Sequence, residues 1–211
     1  MASTTRSRGK VRERREDVAR RVLAAVEEMM ADGTPYTELA VQRIAERANV
    51  ARSTFYLHFP DKSRLLLALA EQAVDALFGV AVNWWREDHS GGRAGVERAM
   101  SEMIAAYRAH RRTLLAISEV AAYDPDVADY WRGRMRGFVE VVQERLDTER
   151  DAGTVEPGMD TPTTAQLLTW MVERTIAAHC RLDEGAGDEQ MAHTLARSIW
   201  LTIYGVERPA S

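Results

Sequence analysis

Apolar residues at Val18, Val22, Ala25, Val26 and Met29 recur at i, i+4, i+7, i+8 and i+11, the spacing of one helical face, and Gly33 closes that segment. Val41, Ile44, Ala45 and Ala48 repeat the pattern over a shorter stretch. It ends at Asn49, a residue that tolerates the left-handed backbone of a tight turn. A third short helix is expected over 52–59, where Phe55, Tyr56, His58 and Phe59 crowd together. Pro60 and Asp61 interrupt it. Asp61 is placed to cap a longer helix whose apolar stripe runs through Leu65, Leu66, Leu69, Val74, Leu77 and Phe78. Gly and Ser make "EDHSGGRAG" at 87–95 a loop. Helices follow near 96–109, 111–121, 126–151, 161–183 and 188–205, with breaks at Asp124-Pro125, Gly153, Pro157-Gly158 and 185–187. No segment alternates as a strand would, and no repeat or low-complexity block occurs, so the chain is expected to be all-α.

Two short helices, Ala40–Ala48 and Arg52–Phe59, joined by a tight turn after one longer helix have the layout of a helix-turn-helix. In such a motif the second helix enters the major groove. Val50, Phe55 and Phe59 then face inward to anchor a very short helix, leaving Arg52, Ser53, Tyr56 and His58 outside, where their polar tips suit phosphates and base edges.

Charge sharpens this picture. The net charge of −4 is unevenly spread: residues 1–64 hold 13 Lys/Arg against 9 Asp/Glu, and residues 65–211 hold 15 against 23. A basic N-terminal part joined to an acidic remainder is the electrostatic footprint of a DNA-binding module attached to something else. The bias is steepest in "TRSRGKVRERR", where Arg6, Arg8 and Lys10 belong to an arm expected to be disordered over 1–10. Composition is otherwise that of an ordinary globular protein, 45% apolar and 28% charged. The longest apolar run falls short of the roughly 18 residues that span a bilayer, and no hydrophobic segment follows the basic N-terminus to make a signal peptide. No membrane partner and a cytoplasmic location are expected. The single cysteine, Cys180, has no disulfide partner and is expected in the core.

The run "IAERANVARSTFYLHFPDKSRLLLAL" at 44–69 resembles the signature of the TetR family of bacterial regulators. The segments "LDTERDAG" at 146–153, "MVERTIAA" at 171–178 and "SIWLTIYG" at 198–205 are similar to C-terminal segments of one mycobacterial member. The resemblance implies a helix-turn-helix DNA-binding domain over 11–70, joined by a long helix to a larger ligand-binding and dimerisation domain over 71–211. It implies Gln42, Arg52, Ser53, Thr54 and Leu57 near base edges, and Tyr56, His58 and Lys62 on phosphates, with the N-terminal arm adding its own cations. Three departures stand out: Ala40 and Ala51 replace hydroxyl residues that usually begin the two short helices, and Asn49 replaces the usual turn glycine.

About 135 residues beyond the motif are more than DNA binding requires. They carry large apolar side chains at helical spacing, among them Met100, Met103, Tyr107, Trp131, Met135, Phe138, Trp170 and Trp200, which fit a plain helical core as well as a ligand site. The resemblance implies an elongated, mostly apolar ligand site, for which the candidates are Met103, Tyr107, Trp131, Met135, Phe138, Thr169, Val172, Glu173, Ile176 and Trp200. Thr169 and Val172 stand where the mycobacterial member has two polar asparagines. The resemblance also implies a homodimer through the last two helices. An enzyme is the competing class, but no Glu-x-x-His pair, GxGxxG, P-loop or GxSxG occurs, and His89, His110, His179 and His193 are isolated along the chain. A ligand-independent DNA-packaging protein would explain the basic arm but not the aromatic-rich second half. The expectation is therefore a DNA-binding regulator, without cofactor or metal, that represses from a palindromic operator and responds to a small apolar effector.

Overall fold

The structure, a computed structural model, describes residues 3–86 and 91–205, with side chains from Glu16 onward. Among the described residues there is no strand. The order is α1 (Ser3–Ala31), a 3-10 turn (Tyr36–Glu38), α2 (Val41–Arg47), α3 (Arg52–His58), α4 (Lys62–Arg86), α5 (Gly92–Ala109), α6 (Arg111–Val120), α7 (Pro125–Asp151), α8 (Thr161–Leu182) and α9 (Asp188–Tyr204). Two compact units result, one from residues up to Gln72 with Arg112–Asp129, the other from Ala73–Arg111 with Tyr130 onward.

In the first unit Val22, Val26 and Met29 of α1, Ile44 of α2, Phe55 of α3 and Leu65 and Leu66 of α4 are buried. Asn49 adopts φ 53°, the left-handed conformation expected of it, and neither Ala40 nor Ala51 supplies a side-chain cap. The motif is instead tied down from α1. Arg21 Nη1 donates to the carbonyls of Ala48 and Asn49 at 3.4 and 3.3 Å, and Arg47 reaches back to Glu28 and Asp32 at 3.3 Å each. Asp61 caps α4 by accepting from the Arg64 amide at 2.7 Å. The backbone of the arm expected to be disordered is helical from Ser3. Residues 112–129 group with this unit rather than with the C-terminal part. Ser63 donates to Asp124, whose other oxygen caps α7 at Val127, and Arg64 pairs with Asp126 at 3.3 Å.

In the second unit α5 lies against α9, and it begins earlier than expected. Gly92 and Gly95, which looked like loop, are in the helix, and Gly95 lies in van der Waals range of Trp84, an added Cβ falling 3.5 Å from the indole nitrogen. Residues 87–90 of that expected loop lie outside the described residues. Segments 146–153 and 198–205 meet around Glu149, which is 7% exposed. Its carboxylate accepts from Arg145 at 2.7 and 2.9 Å, from Thr154 at 2.7 Å and from the Tyr204 hydroxyl. A buried carboxylate needs such partners to offset its lost hydration.

The turn between α8 and α9 is locked onto α5 by Arg108. Its Nε and Nη2 donate to Asp188 at 2.6 and 2.5 Å, and its Nη1 donates to the Asp183 carbonyl at 2.9 Å. His179 Nε2 joins Asp188 at 2.7 Å, and His193 Nδ1 lies 3.2 Å from Glu97, so neither histidine is isolated in the fold. Arg108→Ala is expected to cost about 1.5–3 kcal/mol at pH 7, toward the lower end because the group is part-exposed. The Asp188 carboxyl is held below the usual carboxylate range, first by the Arg108 hydrogen bonds. A depressed pKa contributes stability above the unfolded value and loses it as pH falls. The urea midpoints of wild type and variant should therefore converge below about pH 4.

By length and composition alone α4 could cross a membrane, although polar residues such as Glu71, Gln72 and Asp75 keep any unbroken apolar run in it short. In the fold its apolar residues Leu65, Leu66, Leu69, Val74 and Leu77 are buried against protein.

Candidate functional site

Two surfaces carry the expected functional residues, one in each unit. In the first, Phe55 is fully buried and Phe59 is 6% exposed, with ring centroids 5.8 Å apart, so α3 is anchored by two aromatics on its inner face. The opposite face carries Arg52, Ser53, Tyr56 and Leu57 exposed, with Thr54 and His58 half-buried beside them. Leu57 is 79% exposed, which no folding argument requires of a leucine. The Arg52 guanidinium sits 5.6 Å from the centre of the Tyr56 ring, and that ring meets Phe55 edge-on at 5.4 Å. Gln42 on α2 is exposed, its amide donating to Glu46 at 3.0 Å. The side chains of Arg6, Arg8 and Lys10 lie outside the described residues.

Lys62, expected on phosphate, has a structural role in addition. Its ammonium donates to the carbonyls of Tyr36 and Thr37 at 3.0 and 2.9 Å and lies 5.1 Å from the centre of the Tyr36 ring, while the Tyr36 hydroxyl donates back to the Lys62 carbonyl. Burial pushes its pKa down. A flexible four-carbon stem reaches both carbonyls, of which the Tyr36 oxygen also accepts from the Leu39 amide at 3.1 Å. Lys62→Met is thus expected to lower the stability of this unit by about 1–3 kcal/mol together with any loss of DNA affinity. A residue that only touched phosphate would leave the thermal midpoint unchanged.

In the second unit Leu77, Phe78, Met103, Tyr107, Met135, Phe138, Thr169, Val172, Glu173 and Ile176 surround about 380 Å³ of space free of protein atoms, part of it open to solvent. A neighbouring space of about 370 Å³ is walled by Ala81, Trp84, Trp85, Ala99, Met100, Met103, Phe138, Val142, Leu168, Thr169, Val172 and Ile199. Met103, Phe138, Thr169 and Val172 belong to both and form the partition between them.

Most of the expected ligand residues are therefore brought together. Trp131 and Trp200 are not. Trp131 backs Phe78 at 6.2 Å, one layer behind the wall, with Phe78 in turn edge-on to Phe138 at 5.3 Å. Trp200 stacks on Tyr204 at 4.3 Å. Leu77, Phe78, Trp84 and Trp85 were missed as lining residues, because the α4 stripe reads equally as core. Only the arrangement of α5, α7 and α8 opposite it leaves space there.

Inside the first cavity, burial pushes the Tyr107 hydroxyl up to about 12, with the Glu173 charge adding to the effect. Burial also pushes the Glu173 carboxyl above the usual carboxylate range, against the pull of Arg174. Thr169 Oγ1 and Glu173 Oε2 are buried there without a hydrogen-bond partner. An apolar chamber with a few polar atoms left unpaired suits a small molecule of mainly hydrocarbon character.

Residues 17–69 match the family described as bacterial regulatory proteins, tetR family, and residues 96–205 match the C-terminal domain of the transcriptional regulator EthR. The chain belongs to the TetR family. As a member it is a DNA-binding transcriptional regulator, and the enzyme class gives way to that assignment. The EthR of Mycobacterium tuberculosis is 28% identical over 213 residues, covering 98% of this chain and 96% of that protein. Among solved structures, the SmeT–triclosan complex has a TM-score of 0.71 at 16% identity, covering 92% of this chain and 96% of that one. FadR from Bacillus subtilis in complex with stearoyl-CoA has 0.66 at 16% identity, covering 89% and 98%. The TetR-family match begins at residue 17, so the basic arm precedes it.

Proposed function

We propose that this TetR-family regulator is a cytoplasmic repressor that binds a palindromic operator as a homodimer and releases it when a small, largely apolar molecule occupies the cavity of the second unit. The observation that carries this reading is the apolar chamber bounded by α4, α5, α7 and α8 in a chain whose other unit is a helix-turn-helix. FadR and SmeT, which share the fold, were solved with stearoyl-CoA and triclosan. The dimer is proposed to form through α8 and α9. Leu167 and Leu182 on α8 are 57% and 86% exposed, and a second copy would cover them.

Two-fold symmetry would present two copies of α3 to half-sites with centres about 34–36 Å apart or a multiple of that. Gln42→Ala and Arg52→Ala are each expected to cost about 1–3 kcal/mol on the specific site and to relax its preference, whereas Tyr56→Ala weakens specific and random duplexes alike. Deleting residues 1–10 removes Arg6, Arg8 and Lys10 and should flatten the salt slope by up to about 0.9 for each phosphate no longer neutralised. Selection of genomic fragments with the purified protein, followed by release with hydrophobic compounds, tests the whole reading. Recovery of no enriched sequence would overturn it.

A further inference from the structure

We propose that the cavity of the second unit selects its ligand by a hydrogen-bond-donating head, an amine or amide N–H rather than a carboxylate, received by Thr169 Oγ1 and Glu173 Oε2. This deepens the ligand-binding reading above and rests on it. Both atoms are buried in the wall of one chamber, and neither has a hydrogen-bond partner. They stand four residues apart on α8, a spacing that brings Cβ atoms within about 5–6 Å, so one head group can meet both.

The state of Thr169 is unusual in this fold. A helical hydroxyl commonly bonds the carbonyl one turn back. Ser101, Thr148, Thr194, Ser198 and Thr202 all do so, at 2.8–3.0 Å. Thr169, 4% exposed, does not. The residues that line both spaces with it, Met103, Phe138 and Val172, offer no conventional hydrogen-bonding group.

Glu173 is unpaired in a different way. The Arg174 Nε lies 3.2 Å from its Oε2, outside hydrogen-bonding geometry, and the Arg174 guanidinium sits 5.5 Å from the centre of the Trp170 ring with its side chain 69% exposed. The attraction of Arg174 is thus screened by water, and Glu173 lines a chamber walled otherwise by Leu77, Phe78, Met135 and Ile176. A buried acceptor left bare is costly, and a donor arriving with the ligand relieves it. A ligand carboxylate would instead bring like charge to Glu173. Discrimination by an unpaired buried polar group is far steeper than discrimination by hydrocarbon fit.

The test uses the full chain at pH 7 with n-decylamine, n-decanol and decanoate, each below its micellar concentration, followed by tryptophan fluorescence and calorimetry. Decylamine should bind about tenfold or more tighter than decanoate, with decanol between them. Glu173→Gln preserves shape and should reduce the amine advantage over decanoate to less than about threefold, with decanol affinity little changed. Thr169→Val should weaken decylamine and decanol but not decanoate. Val172→Trp, which fills the chamber, should abolish binding of all three.

Decanoate binding as tightly as decylamine, or an amine preference untouched by Glu173→Gln, overturns the proposal. So does amine binding that persists in Val172→Trp, since that is adsorption to an acidic surface. If all three probes bind alike only the head-group selection falls; if none binds to the folded protein, the ligand-binding reading falls with it.

Discussion

Thr169→Trp and Val172→Trp are expected to weaken operator binding by about tenfold or more while leaving the dimer intact, a loss of roughly 1.4 kcal/mol or greater that fluorescence anisotropy on the selected duplex would measure. Both residues stand in the partition between the two spaces, so an indole introduced there enters room that exists and presses on Met103 and Phe138 beyond it. Packed interiors answer such pressure by shifting whole elements rather than by compressing. The element to follow is α4. Its Leu77 and Phe78 line the cavity, and its first turns, through Lys62, Leu65 and Leu66, belong to the DNA-binding unit. Linkage then demands reciprocity: whatever factor an effector takes from operator affinity, operator takes from effector affinity. Filled variants that bind operator as wild type and still accept a hydrophobic probe would place the effector elsewhere.

Phe55→Ala and Tyr56→Ala should separate the two faces of α3. Phe55 is wholly buried, and its truncation is expected to cost about 3–5 kcal/mol, enough to unfold much of a small unit and abolish DNA binding. Tyr56, 41% exposed, should cost little stability, because its ring supplies mainly an edge for Phe55 and a face for the Arg52 guanidinium. Its penalty should appear in DNA affinity instead. Chemical denaturation alongside binding distinguishes them: a Tyr56→Ala protein that unfolds as readily as Phe55→Ala would make α3 a purely structural helix.

The helices themselves were legible along the chain because period and punctuation are local properties. The stripe of α1, the left-handed Asn49, the Asp61 cap and the breaks at Gly153 and Pro157 each depend on a handful of neighbouring residues and were read from them. The outward placing of Arg52, Ser53 and Tyr56 followed from the same periodicity, since burying Phe55 and Phe59 leaves those positions no other side of so short a helix, whereas His58, expected outside with them, is half-buried and Leu57 was placed near base edges only by the family resemblance. What the chain could not disclose depends on partners distant in sequence. Gly92 and Gly95 looked like loop, yet they open α5, where Gly95 lies in van der Waals contact with Trp84, a partner that the chain itself does not reveal. Lys62 was expected on phosphate, and the chain gave no sign that its ammonium also donates to the carbonyls of Tyr36 and Thr37. Trp131 and Trp200 had the right composition for a ligand site but face Phe78 and Tyr204. By itself the sequence determined the helices, their inner faces and the family to which they belong, because hydrophobic periodicity acts within one helix. Only the tertiary structure decided which inner faces meet without filling the space between them, and so where Thr169 Oγ1 and Glu173 Oε2 were left without hydrogen bonds, because a cavity is a property of several helices at once.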